Sequence, residues 1–174
     1  MTHSGETKGD LNKMTGSILG FAATAVYLAV WVYHLAQVRR DPQFNHWSLQ
    51  AAAAVAIGLH GATLVGLLFI DGGLDLSLLK VFALSALVIN SLVWISGIKK
   101  PLHSLYLFLF PISAASLTAA ILSLNSTPVL LESFNIQAHI LISILAYSLL
   151  AIAALQALLV GYQDWQLKHK HQNQ

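Results

Sequence analysis

His60 and His139 are the side chains of this sequence best placed to do chemistry. His60 lies in the run VAIGLHGATLVG and His139 in IQAHILISILAYSLL, each among apolar residues. An imidazole in such company is costly without a partner, so its presence needs a reason. Imidazole is the usual protein ligand of haem iron, and it also relays protons. For His60 a third reading stands beside these two: a neutral ring hydrogen-bonded across helices, for instance to Asn90. Gly58, Gly61 and Ala62 next to it favour close helix packing, which suits every reading. His139 reads either as an interfacial histidine facing headgroups and water or as a ligand near the membrane surface. Ser143 and Tyr147 follow it at i+4 and i+8, so the three form a polar stripe near one face of a helix.

The other candidates read as structural. His34, His46 and His103 fall near or in one set of connecting segments, and His169 and His171 belong to a solvated basic end, KHKHQNQ. Pro111 reads as a kink or an early-turn residue. Trp47, Trp94 and Trp165, with Trp31 somewhat deeper, read as an aromatic belt. The sequence has no cysteine, which excludes disulfides, thiolate metal sites and iron–sulfur clusters. No P-loop, dinucleotide fingerprint, HExxH or Ser-His-Asp arrangement is present.

The elements that must position these residues are membrane helices. Of 174 residues, 56% are hydrophobic and 9% charged. That is too little charge for a water-facing surface. Five apolar runs, at about 16–38, 49–70, 78–98, 105–124 and 136–162, each meet the roughly 20 residues needed to cross a bilayer. They are continuous and rich in Ala and Leu, which argues against strands. The fold expected is therefore all-α, a polytopic bundle of about five transmembrane helices. A polar N-terminal tail over 1–15 precedes a helical body over 16–163, and a basic cytoplasmic tail over 164–174 follows. Short connections make neighbouring helices antiparallel. Arg39, Arg40, Lys99, Lys100, Lys168 and Lys170 gather on one side, and Asp71, Asp75 and Glu132 on the other. The positive-inside rule then puts the N-terminus outside and the C-terminus in the cytoplasm. Lys80, near the outer end of the third helix, is expected to snorkel to the headgroups. Nine basic residues make no nucleic-acid-binding patch.

Helix rise puts His60 near mid-membrane and His139 about 10 Å nearer the outer face. The two are thus poorly placed to grip one iron from opposite sides.

The stretches AHILISILAYSLLAIAALQALLVGYQDWQLKHKH, KKPLHSLYLFLFPISAASL and LHGATL resemble the cytochrome c assembly family. The likeness is greatest to the YpjD-type branch of bacterial inner-membrane proteins related to CcsA. It covers about residues 18–171 and is most specific in the fifth helix. The resemblance implies haem handling in cytochrome c biogenesis, with haem held at the outer face between histidines. A histidine opening this helix, followed by a tyrosine, serves in that pattern as an outer axial ligand; here these are His139 and Tyr147. The family continues for about three more helices bearing a Trp-rich loop and a second outer histidine. The expectation is therefore an N-terminal part holding half of a haem site. It would be a binder without catalytic turnover, working with other maturation proteins in the membrane. Two alternatives remain open: a structural or interaction protein that has lost haem binding, and a small transporter or proton pathway through His60 and Asn90.

Overall fold

In hydrocarbon a backbone N–H or C=O has no water to bond, so an apolar run must satisfy itself as a helix. The computed structural model describes the backbone of residues 3–40, 46–70, 73–98, 103–123 and 133–171, and the side chains of 16–36, 47–70, 73–98, 104–123 and 133–168. Helix α1 runs His3–Arg40, α2 His46–Leu68, α3 Leu78–Gly97, α4 Tyr106–Leu122 and α5 Phe134–His171. Each of the five apolar runs thus forms a helix over most of its length. Four of the helices contain a stretch long and apolar enough to cross a membrane: Gly16–Ala36, Trp47–Leu68, Leu78–Gly97 and Phe134–Lys168. With 17 residues, α4 covers about 25 Å. The 3-10 turn His103–Leu105 before it adds about 6 Å, which brings the pair to bilayer thickness. The first and last helices overrun the apolar runs, because α1 takes in most of the polar N-terminal segment and α5 continues into the basic end.

Helix α1 packs against α2 and α4, and α3 packs against the same two, so α1 to α4 close a ring. Helix α5 lies outside it, against α3. Small residues let the ring close tightly. A Cβ on Gly20 would run into the Ile121 side chain and stand 2.9 Å from Thr63 Cγ2, so glycine lets α1 approach α2 and α4 there without displacing those side chains. Two apolar clusters fill the interior. One, towards Trp47, contains Leu49, Val93, Leu105 and Phe110, and the other contains Ala23, Leu64, Leu76, Ala83 and Leu117.

The connection between α2 and α3 is an antiparallel hairpin of β1 (Phe69–Ile70) and β2 (Gly73–Leu74), in register Phe69↔Leu74 and Ile70↔Gly73. Gly73 has φ +140°, which a side chain would strain. The Asp75 N–H donates to Leu68 O at 2.8 Å. Its carboxylate accepts from Ser77 N–H at 3.0 Å and from Lys80 Nζ at 2.5 Å. The Lys80 and Asp75 side chains are 6% and 3% exposed. Lys80 therefore does not reach for headgroups. An adjacent carboxylate offsets the cost of burying its charge, and the pair ties the hairpin to α3.

Helix α4 continues through Pro111. Proline has no N–H, so the Leu107 carbonyl one turn back loses its helical donor. Trp31 Nε1 of α1 donates to that carbonyl at 2.8 Å. Trp94 Nε1 likewise donates inward, to Gln50 O at 2.9 Å, while Gln50 Nε2 donates to Trp94 O at 2.6 Å. Tyr106 O–H joins this clasp by donating to Gln50 Oε1 at 3.3 Å. Trp31 and Trp94 thus bind helix to helix, while Trp47 and Trp165 are exposed as belt residues are. The side chains of Arg39, Arg40, His46, His103, Lys170, His169 and His171, and residues Asp71, Lys99, Lys100 and Glu132, lie outside the described residues.

Candidate functional site

The sequence candidates fall in two separate places. His60 sits inside the ring and has no exposed surface. Its Nδ1 is 3.2 Å from the Tyr27 hydroxyl of α1, and the rings meet edge to face at 5.7 Å. Tyr27 in turn lies 5.4 Å from the Phe110 ring of α4, which stacks on Tyr106 at 4.7 Å. Asn90, considered above as the partner of His60, bonds elsewhere. Its Nδ2 donates to Ser113 Oγ of α4 at 2.5 Å and to Ala86 O on its own helix at 2.8 Å. Each of the four ring helices therefore supplies one polar side chain to a buried layer: Tyr27, His60, Asn90 and Ser113. An imidazole enclosed on every side offers a porphyrin no face, and helix coupling is what this layer can do.

Tyr27 and Ser113 were not singled out from the sequence. Both are polar residues deep in apolar runs, and that depth was the available signal. His34 is also buried, at 1% exposure, on α1.

His139 is different. It is exposed, in the second turn of α5. Its neighbour Ile140 packs on the apolar cluster nearer the hairpin, which places His139 towards that end of the molecule. The bundle-facing side of α5 carries Ile144 and Ser148, both buried, with Ile152, Leu155 and Leu159 further along. The opposite side, with His139, Ile142, Ala146 and Leu150, is exposed. Of the expected polar stripe, His139 and Tyr147 are exposed, Tyr147 to 72%, and Ser143 between them is half-buried. Eight residues put Tyr147 about 12 Å further along the helix. It can border a flat ligand held by His139 but cannot share the same iron.

The structure therefore keeps His139 and Tyr147 on one open helix and sets His60 apart inside the ring. Were haem held here, the His139 imidazole would supply the ligating nitrogen, with apolar Ile142 and small Ala146 beside it on the open helix face. Among the described residues no group of three His, Cys, Asp or Glu side chains converges.

A shallow groove of about 420 Å³ between α1 and α4 is lined by Thr24, Leu28, Pro111, Ala114, Thr118 and Leu122, among others. Its two threonine hydroxyls are 3.4 Å apart, and it carries no metal-ligating side chain. Compared with known proteins, the chain matches no family model, no curated protein and no solved structure.

Proposed function

We propose that this chain is a haem-handling membrane protein of the cytochrome c assembly type, presenting His139 to haem at the outer face of a bacterial inner membrane. The observation that supports this reading is the openness of that imidazole. In a protein whose other well-placed histidine is enclosed and bonded to Tyr27, His139 stands free of the bundle beside an apolar helix face. A flat apolar macrocycle needs such a surface, and iron needs such a nitrogen. The positive-inside rule puts the hairpin end, and His139 with it, outside. In this reading Tyr147 borders the ligand, His60 and Tyr27 hold the ring together, and the chain acts as a binder and carrier without turnover. Bound haem would be the group handled in cytochrome c biogenesis, and its second ligand would come from outside the described residues.

The test is the optical spectrum of the detergent-purified chain after expression with ample haem, oxidised and then reduced with dithionite. A Soret band with sharp reduced α and β bands is expected, and His139→Ala should abolish it. A spectrum that His139→Ala leaves unchanged would overturn the assignment of this ligand. A second reading, a structural or interaction membrane protein, is favoured by the uncovered face of α5 itself. Its result would be a folded bundle with no haem absorbance.

A further inference from the structure

The groove between α1 and α4 is made by small residues. On its α4 side lie Ala114, Ala115, Thr118 and Ala119, and on its α1 side Thr24. Ala115 is exposed within the hollow. The larger walls are Leu28 of α1 and Leu122 of α4, both exposed.

Its lining makes no polar demand. Thr118 Oγ1 donates to Ala114 O one turn back at 2.7 Å. In its 3.4 Å contact with Thr24, the proton therefore comes from Thr24. Both hydroxyl protons are used within the protein, and Pro111 has no N–H to offer. A polar ligand would lose its solvent here and find no donor in return. The surface selects hydrocarbon.

Its dimensions narrow the choice. Pro111 and Leu122 stand eleven positions apart on α4, about 16 Å of helix. A volume of about 420 Å³ spread over that length has a cross-section of about 26 Å². A helix about 10 Å across presents about 80 Å², so a helix from a second copy could cover the groove but not fill it. One extended hydrocarbon chain can.

The depth agrees. Leu122 is the last residue of α4, at the hairpin end, where Leu117 and Ile121 share a cluster with Leu76. Half of a bilayer's hydrocarbon core is about 15 Å, so the groove runs the depth of one leaflet. At its inner end Trp31, one turn beyond Leu28, donates across to the Leu107 carbonyl, one turn beyond Pro111. That bridge closes the groove where the leaflet ends.

We propose that the α1–α4 groove is a lipid-binding site, holding a single acyl chain of a phospholipid from the leaflet at the hairpin end. The chain enters past Leu122, lies over Ala119 and Ala115, and stops at the Trp31 bridge. It exchanges more slowly there than chains around the rest of the bundle.

The test uses the full chain in vesicles of phosphatidylethanolamine and phosphatidylglycerol with a trace of phosphatidylcholine bearing a diazirine in one acyl chain. After photolysis, adducts are mapped by mass spectrometry of peptides. The reference is Ile142 and Leu145 on α5, which are also exposed and lie towards the hairpin end. Labelling at Ala115, Thr118 and Ala119 is expected to exceed that reference severalfold. Ala115→Phe, which fills the hollow from an exposed position, should bring it down to the reference and leave α5 unchanged. Groove labelling no greater than on α5, or undiminished in Ala115→Phe, would overturn the proposal. Weak groove labelling together with a cross-linked dimer would also overturn it, and would put a second copy over the groove instead. If Ala115→Phe does not fold, the ratio of groove to α5 labelling in the unaltered chain decides the matter.

Discussion

A polar side chain in hydrocarbon is stabilised or destabilised by its nearest partner, and two pairs here make that measurable. His60→Phe leaves the Tyr27 hydroxyl without its acceptor in a fully buried position. It should lower stability to thermal unfolding in detergent by about 1–3 kcal/mol, and adding Tyr27→Phe should recover part of the loss. The same His60 substitution should leave any haem spectrum unchanged, which separates it from His139→Ala. At the hairpin, Lys80→Met strands the Asp75 carboxylate, and a cost on the order of 3–5 kcal/mol is expected. Asp75→Asn added to Lys80→Met keeps the acceptor for Ser77 N–H and removes the stranded charge, so most of that stability should return. At this scale the sequence was legible in part. It marked His60, Asn90 and His139 because polar atoms at membrane depth are rare. It could not name their partners, because a hydrogen bond between residues 33 apart depends on which helices touch. Lys80 was misread for a local reason: its counter-charge lies five residues back, across the start of α3, and the bend that brings Asp75 over the first turn of that helix is not revealed by apolar run lengths.

The elements themselves were easier to read. Bilayer thickness sets a length, and a run of apolar residues either meets it or does not. The ends of α1 and α5 were less legible, because a helix already formed in the membrane extends cheaply into polar sequence where no Pro stops it, in α1 through Gly5 and Gly9. Pro111 within α4 is the exception, and α1 compensates for it. Trp31→Phe should cost about 1–3 kcal/mol by leaving the Leu107 carbonyl unsatisfied. In a Pro111→Ala background the introduced alanine supplies the missing N–H, so Trp31→Phe should then cost much less. Equal costs in the two backgrounds, measured as a double-mutant cycle, would show that the indole does not serve this carbonyl.

For the whole molecule, the closed ring and the excluded fifth helix were not legible at all. A soluble helix announces its buried side by an apolar stripe, but lipid is as apolar as a protein core, so these helices are apolar on every side. The distinction can still be tested. Gly20→Leu must push Thr63 and Ile121 aside and should prevent the ring from closing, seen as loss of the folded monomer in size-exclusion chromatography. Leu117→Ala, in the buried cluster, should cost on the order of 2–5 kcal/mol, whereas Leu150→Ala on the open side of α5, 65% exposed, should change stability little.

The ring also fixes an order of events during synthesis. The Tyr27–His60 contact needs only the first two helices, but Trp31 on α1 and Asn90 on α3 both find their partners on α4. Until the ribosome delivers that fourth helix, the Trp31 indole N–H waits in the membrane without its acceptor and Asn90 has only the Ala86 carbonyl of its own helix, and the insertion machinery has to shelter them. This is the interval in which the nascent chain is most open to mispairing and degradation. Helix α5, arriving later against the outside of α3, does nothing to shorten it.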